Sequence, residues 1–214
     1  MSLNGNIMTF IEFQQRLSLY PIFSLQDVIK ICGDFSYRQL DRWEKKGYLK
    51  KLKRGFYSFS TRDIEEWFLY YAANRIYAPS YVSLEMALRN YNFIPEEVFQ
   101  VTSIGTKKTA HFETCIGNFR YHHIKPSLYW GYRLIEFKKL TILLAEPEKA
   151  VLDYFYFRGD RLRAAEAFWQ EARFQNLGTL QWKKGDSLAR RYPRARVARL
   201  WKSLKHYAKT HRSA

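Results

Sequence analysis

The sequence predicts an α+β protein in two parts. A small helical N-terminal domain ends in a β-hairpin, and a larger mixed α/β domain has a mostly antiparallel sheet and C-terminal helices. Apolar residues recur at helical spacing through about the first fifty residues. Segments rich in β-forming residues, separated by glycines, follow up to residue 145. Helical spacing then returns and continues to the end of the chain.

Three short helices are predicted in the N-terminal domain. The first runs from Thr9 to Leu17, and Ser24 caps the second. The third begins at Ser36, whose side chain can accept a hydrogen bond from free backbone donors, and it ends at Gly47, which can adopt the left-handed conformation. Each helix is too short to be stable alone, so we expect the three apolar stripes to share one core.

The third predicted helix has two faces of opposite character. The apolar face consists of Tyr37, Leu40, Trp43 and Gly47. The wetter side carries Arg38, Gln39, Arg42, Lys45 and Lys46. Arginine suits guanine and glutamine suits adenine in the major groove of DNA, so Arg38, Gln39 and Arg42 are predicted to reach base edges. The two lysines are predicted to hold phosphates.

A basic β-hairpin is predicted directly after this helix. Leu49 and Leu52 can anchor it, and its tip is expected at Lys53-Arg54-Gly55. The hairpin cations predicted to contact phosphates or the minor groove are Lys50, Lys51, Lys53 and Arg54. Two helices, a cationic third helix and a basic hairpin follow the order of a winged helix-turn-helix. The sequence therefore predicts a DNA-binding domain of this class at residues 1–60.

The remainder is predicted to form a connecting helix at residues 61–76 and a mixed α/β domain at residues 77–214. Ala78-Pro79-Ser80 ends the connecting helix. Strands are expected at Val98–Ile104, Thr109–Cys115, Phe119–Ile124, Tyr132–Phe137 and Leu140–Ala145. Pro147 suits the first position of a helix that packs on this sheet.

The charge of the chain is concentrated in two segments. The formal net charge is +16. Residues 36–62 contain nine Lys or Arg against two acidic residues, and residues 183–212 contain eleven against one, so the rest of the chain is close to neutral. Clustered like charges cost stability unless a partner neutralises them. The distribution therefore predicts a polyanionic partner, and nucleic acid is the best match.

The second basic segment includes a predicted amphipathic helix at the C-terminus. Its cations form a candidate patch that consists of Arg196, Arg199, Lys202, Lys205 and Lys209. The sequence leaves four interpretations open for this patch. It is a solvated helix face, a second nucleic-acid contact, a surface for an acidic protein, or a membrane-surface contact.

Several classes of protein do not fit the composition. Cys32 and Cys115 lack metal-ligand spacing and fit a reducing compartment. The longest aliphatic run, Ile142–Ala145, falls far short of the roughly 20 residues that a membrane span needs. The N-terminal residues are too polar for a signal peptide. We therefore expect a cytoplasmic protein with no metal site, no cofactor and no membrane partner.

The sequence contains few patterns that are typical of a catalytic site, and we do not expect an enzyme. Glu136-Phe137-Lys138, near a predicted strand end, resembles the E-x-K of some metal-dependent nucleases, but no upstream Pro-Asp pair accompanies it. A metal-dependent nuclease is therefore one alternative to a DNA-binding function. Another is a DNA-binding regulator whose second domain serves only for dimerisation or ligand sensing.

Five sequence blocks, in the same order, resemble one known family. They are KKGYLKKLKRGFY at Lys45–Tyr57, AANRIYAPSYVSLEMAL at Ala72–Leu88, VTSIGTKKT at Val101–Thr109, GNFRY at Gly117–Tyr121 and AEPEKAVLD at Ala145–Asp153. Together they are similar to the AbiEi-type antitoxins of bacterial abortive-infection systems, which are type IV toxin–antitoxin systems. The likeness covers roughly residues 10–157.

The resemblance implies a division of labour between the two domains. In that family a winged helix represses the protein's own operon by binding inverted repeats in double-stranded DNA. The second domain counteracts a co-encoded nucleotidyltransferase toxin of the AbiEii type. The family's DNA contacts fall here on Arg38, Arg42, Lys45 and the hairpin residues 50–54. The resemblance assigns no residues to toxin neutralisation and leaves direct contact with the toxin open.

Overall fold

The computed structural model describes residues 8–33, 35–162, 164 and 166–211, so the ends of the predicted first and last domains lie outside the described residues. The chain divides into two compact units. One comprises the chain up to Glu65 together with Glu113–Ile116, and the other comprises Glu66–Phe112 and the chain from Gly117 onward.

The first unit contains three helices and a small sheet. The helices are α1 (Phe10–Arg16), α2 (Leu25–Cys32) and α3 (Arg38–Lys45). The strands are β1 (Ile22–Ser24), β2 (Leu49–Lys53) and β3 (Phe56–Phe59), and β3 lies between the other two with antiparallel pairing on both sides. The helices and the hairpin were predicted, but β1 was not, because three residues are too few to show an alternating pattern.

Two of the helices begin as their sequences predict. Thr9 and Glu12 form a reciprocal capping box on α1, and Ser24 and Asp27 form another on α2. The predicted cap of α3 is wrong. Its N-cap is Tyr37, which already has helical backbone angles, and no side chain caps the helix. Instead the carbonyl of Ser36 accepts from the N–H of Gln39, so a tightened first turn replaces the side-chain cap.

The core of the first unit is mainly aromatic. Phe13 is fully buried at its centre, with its ring 4.7 Å from Trp43 and 5.5 Å from Phe23. Phe59 joins this cluster from β3. The helices α1 and α3 contribute buried rings, and α2 contributes Val28 and Cys32 to the same cluster, which satisfies the expectation that the short helices share one core.

The second unit is built on a six-stranded sheet with the order β6–β7–β5–β4–β9–β8. The strands are β4 (Ser80–Val82), β5 (Gln100–Gly105), β6 (Ala110–Thr114, whose last two residues are grouped with the first unit), β7 (Gly117–His123), β8 (Tyr132–Phe137) and β9 (Leu140–Ala145). The sheet is mixed, although we predicted mostly antiparallel pairing. β4 pairs antiparallel with β5 but parallel with β9, and β5 pairs parallel with β7. The short strand β4 was not predicted, and its insertion at the centre creates one of the parallel pairs.

Six helices of the described chain belong to the second unit. They are α4 (Glu66–Ile76), α5 (Glu85–Asn90), α6 (Pro147–Arg158), α7 (Glu166–Glu171), α8 (Trp182–Ala189) and α9 (Ala195–Thr210). Pro147 occupies the first turn of α6, as predicted. Within the ranges given above, no helix combines the length and the apolar character needed to cross a membrane.

A buried polar network joins α6 to the sheet. The Lys149 ammonium donates to Oδ1 of Asp153 at 2.6 Å, and neither side chain is exposed to solvent. Tyr192 also donates to Oδ1, while the hydroxyls of Tyr81 and Ser83 donate to Oδ2. Burial lowers the pKa of Lys149 and outweighs the opposing effect of Asp153. Two of the sequence blocks quoted above, residues 72–88 and 145–153, therefore meet in this network.

Candidate nucleic-acid interface

The most concentrated exposed charge of the first unit lies on α3. Arg38, Arg42 and Lys45 are all exposed, and none forms an ion pair with another described residue. At about 100° per residue, their side chains fall within about 60° of one another around the helix axis. We call these three residues the α3 cationic face.

Apolar packing on the other side of α3 holds this face outward. Leu40 and Trp43 are 1% and 6% exposed and belong to the core of the unit. Tyr37 was predicted on the same apolar face, but it is 60% exposed. It lies one residue before the helix, where the helical spacing no longer determines the direction of a side chain. Tyr37 is therefore an exposed aromatic beside Arg38, and the sequence-based assignment of interface residues missed it.

The end of α3 is defined by Gly47, as predicted. Its φ is +74°, in the left-handed region. Its N–H donates to the carbonyl of Glu44, and the N–H of Tyr48 donates to the carbonyl of Trp43. This pair of bonds is a Schellman motif, which closes the helix and turns the chain into β2. Lys46 is exposed at this turn, next to the cationic face.

Gln39 is placed less favourably for DNA than predicted. Its side chain is half-buried, and its amide donates to the carbonyl of Met8 at 3.0 Å. One amide donor is therefore already used inside the unit. Reading adenine takes one N–H donor and the oxygen acceptor of the glutamine amide, so Gln39 can make this contact only with its second N–H and in an orientation that the bond to Met8 restricts.

The predicted hairpin cations are distributed along β2 and its turn. The strands end at Lys53 and resume at Phe56, so the turn consists of Arg54 and Gly55. Arg54 and Lys51 are exposed, whereas Lys50 and Lys53 are half-buried. The ammonium of Lys53 lies 5.4 Å from the centre of the Phe56 ring. The pairing register shifts between Lys51 and Lys53, which bends the strand just before the turn.

The hairpin and α3 are adjacent within the first unit. The Lys51 ammonium lies 3.9 Å from a carboxylate oxygen of Glu44 on α3, and both side chains are more than a third exposed. Such a long, solvated pair contributes at most about 1 kcal/mol to stability. It can therefore separate at little cost when a phosphate approaches the lysine. The arrangement provides a helix with a cationic face and, beside it, a cationic ribbon.

The cations of the predicted C-terminal patch differ in the contacts that they make. On α9 the Arg196 guanidinium donates to the carbonyl of Leu162, and Lys205 forms an ion pair with Asp186. Arg199, Lys202 and Lys209 are exposed and form no ion pair with another described residue. Arg196 and Arg199 line one cavity of the second unit, whereas Lys202 and Lys205 line another. Arg190, directly after α8, also lines the second cavity, and it was counted in the basic segment but not singled out.

The residues proposed for a nuclease are not assembled into a metal site. Glu136 is exposed on β8 opposite Thr141, and Lys138 lies in the turn before β9. Within the described part of the chain, no group of three or more His, Cys, Asp or Glu side chains could hold a metal ion. Nothing in this geometry favours the nuclease alternative.

Two comparisons of the chain with known proteins find no match. A scan against known protein families finds no family that the chain matches, and a search of curated proteins finds no match either. The geometry of the cationic face and the sequence blocks quoted above are therefore the observations that bear on function.

Proposed function

We propose that this protein is a DNA-binding antitoxin that represses its own operon and counteracts a co-encoded nucleotidyltransferase toxin. In this proposal the first unit is a winged helix-turn-helix, α3 is its recognition helix, and the β2–β3 hairpin is its wing. The second unit is the part that counteracts the toxin.

The DNA-binding part of the proposal is based on the cationic face of α3. Arg38, Arg42 and Lys45 are held outward by the buried Leu40 and Trp43, and they form no ion pair with another described residue. Three unpaired cations on about two turns of helix repel one another, and a row of phosphates relieves that repulsion. Arginine can also form two parallel bonds to guanine in the major groove.

The antitoxin part is supported by the sequence resemblance rather than by a site. The blocks at residues 72–88 and 145–153 carry the polar network around Asp153. Because that network is buried, the residues that form it support the fold of the second unit.

Duplex DNA from the protein's own promoter tests the DNA-binding part. We expect tighter binding to this duplex than to a random duplex of equal length in fluorescence anisotropy titrations. Affinity should fall steeply with salt, because each phosphate contact releases about one counterion. Equal affinity for both duplexes at modest ionic strength would contradict the proposal.

Co-expression with a neighbouring nucleotidyltransferase gene tests the antitoxin part. The full chain should restore growth to cells that express the toxin. The same chain with Arg42→Ala and Lys45→Ala should still restore growth but should no longer repress a reporter driven by the operon promoter. If these substitutions abolished protection as well as repression, the two functions would not be separate.

A further inference from the structure

A cavity between α8 and α9 brings several of the C-terminal cations together. Its volume is about 330 Å³. Asp186 lines it from α8, Arg190 from the position directly after α8, and Trp201, Lys202 and Lys205 from α9. Two alanines, Ala189 and Ala198, form part of its wall. The cavity belongs wholly to the second unit and shares no residue with the α3 cationic face.

The two helices meet closely beneath this cavity. A side chain at Gly185 of α8 would place its Cβ 1.8 Å from a ring carbon of Trp201, so only glycine allows the observed approach. The Trp201 indole N–H donates to Oδ1 of Asp186 at 3.0 Å. The two helices are therefore held together at this cavity by close packing and by a part-buried hydrogen bond.

The single acid of the cavity is already fully used. Lys205 donates to Oδ2 of Asp186, so each carboxylate oxygen has a donor. Burial acts to raise the pKa of Asp186, but the hydrogen bonds from Lys205 and Trp201 outweigh burial and hold that pKa below its ordinary value. Asp186 thus orients Lys205, and the charge of Lys205 offsets that of the carboxylate.

Two cations of the cavity have no such partner. Arg190 and Lys202 are exposed, lie at the end of α8 and on α9 respectively, and form no ion pair with another described residue. With Lys205 and Asp186 included, the lining carries a net charge of +2. A concave site lined by an excess of one sign of charge concentrates counterions of the other sign.

We propose that the α8–α9 cavity binds a phosphoryl group. A doubly charged phosphoryl group matches the net charge, and its several oxygens can accept from Arg190, Lys202 and Lys205 together. The guanidinium of Arg190 offers two parallel donors, a geometry that fits phosphate well. The volume exceeds that of one phosphate, so the cavity has room for part of the molecule that carries it. That molecule is either a free nucleotide or a nucleic-acid strand.

Calorimetric titration of the full chain with pyrophosphate tests this site directly. We expect saturable binding at one site per chain, and binding about tenfold weaker in Arg190→Ala and in Lys202→Ala, because each removes a charge-assisted hydrogen bond. Arg199→Ala is the matched control, because it removes one exposed cation of the same helix that lies outside this cavity. All three replaced side chains are exposed, so the variants should unfold at the temperature of the wild type.

Further titrations identify the source of the phosphoryl group. They use adenosine diphosphate and a short single-stranded RNA or DNA, on a chain that also carries Arg42→Ala and Lys45→Ala to weaken the first interface. Tighter binding of the nucleotide than of pyrophosphate identifies a nucleotide site, and tighter binding of the strand identifies a strand contact. The proposal is overturned if pyrophosphate does not bind at about 1 mM in low salt, or if Arg199→Ala weakens binding as much as Arg190→Ala does. Promoter binding by Arg190→Ala remains intact in every case, so failure here is distinguishable from failure of the proposed function.

Discussion

At the scale of single residues, function depends on which side chains already form hydrogen bonds or ion pairs within the protein. Arg42 and Gln39 lie on the same short helix and were both predicted to reach bases. The structure leaves Arg42 exposed, whereas Gln39 donates to a backbone carbonyl. Helical spacing predicts the direction of a side chain, but a bond to Met8, 31 residues away, cannot be read from spacing.

Arg42→Ala is expected to weaken promoter binding by about 1–3 kcal/mol and to relax the choice of sequence. The reason is that a bidentate arginine contact to guanine discriminates among bases as well as adding affinity. Anisotropy titrations with the promoter duplex and with point-substituted duplexes measure both effects. Arg16→Ala, which removes an exposed cation from α1, is the control and should leave affinity within a factor of about two. Unchanged affinity and specificity in Arg42→Ala would remove this residue from the interface.

Gly185→Ala should destabilise the protein by about 1–3 kcal/mol, because the added methyl group collides with the Trp201 ring. Gly178→Ala is the matched control. A Cβ at Gly178 meets nothing within 4 Å, so that variant should be neutral or slightly more stable. Urea unfolding followed by tryptophan fluorescence gives both values. Equal stabilities of the two variants would show that α8 and α9 do not approach as closely as described.

At the scale of elements, the second unit relies on a polar network to fix α6 on its sheet. Lys149 and Asp153 are one helical turn apart, and the surrounding hydroxyls come from β4, from the residue after it and from the segment before α9. A buried charge that loses its partner is costly, whereas removing both charges costs less. The main effect of the network is therefore to favour one arrangement of these elements, and its net contribution to the free energy of unfolding is small.

A double-mutant cycle on Lys149 and Asp153 measures this effect. Lys149→Met alone should cost about 3–5 kcal/mol, because the Asp153 carboxylate then remains buried without its cation. The double variant Lys149→Met, Asp153→Asn should lose less than the sum of the two single variants, with a coupling of about 1–3 kcal/mol. Urea unfolding of the four proteins provides the cycle. Strict additivity would mean that the two side chains do not interact in solution.

The environment of His122 on β7 predicts that the folded protein loses stability in mild acid. Its imidazole is half-buried, and its ring centre lies 5.2 Å from that of Phe157 in a tilted contact. Burial lowers its pKa below the ordinary value of 6.5, and Arg158 and Arg120 act in the same direction against a smaller opposing effect of Glu85. The unfolded chain therefore takes up a proton before the folded chain does, so stability falls as the pH decreases below 6.5 and stops falling once the folded protein is also protonated.

The difference between wild type and His122→Gln isolates this contribution. The free energy of unfolding of the wild type should decrease between about pH 7 and pH 5, and the variant should show a shallower decrease over the same range. Urea titrations at each pH measure both curves. Parallel curves would show that His122 has the same pKa in the folded and unfolded states.

At the scale of the whole molecule, the chain divides at Glu65, so α4 belongs to the second unit. The Asn74 side chain explains why this helix is tied to the sheet. It donates to the carbonyls of Ser80 and Leu143, and it accepts from the N–H of Leu143. The helix α4, which the sequence predicts as a connector, is therefore hydrogen-bonded to β4 and β9, two central strands of the sheet.

Fragments of the chain should follow this division. We expect residues 61–214 to restore growth in the presence of the toxin, and residues 1–60 to fail. A fragment that starts at Tyr77 is the informative comparison, because it lacks α4 and should be unstable in circular dichroism melting. Rescue by residues 1–60 alone would reverse the proposed division of labour.

The sequence by itself determined the order of the main elements, the cationic face of α3 and the concentration of charge in two segments. These features depend on local spacing and composition, which act over one or two turns of helix or one strand. Only the tertiary structure decided that the sheet is mixed, that Gln39 and Lys205 are engaged, and that Arg190 shares a cavity with Lys202. Those outcomes depend on contacts between residues distant in sequence, whose partners are chosen when the elements pack together.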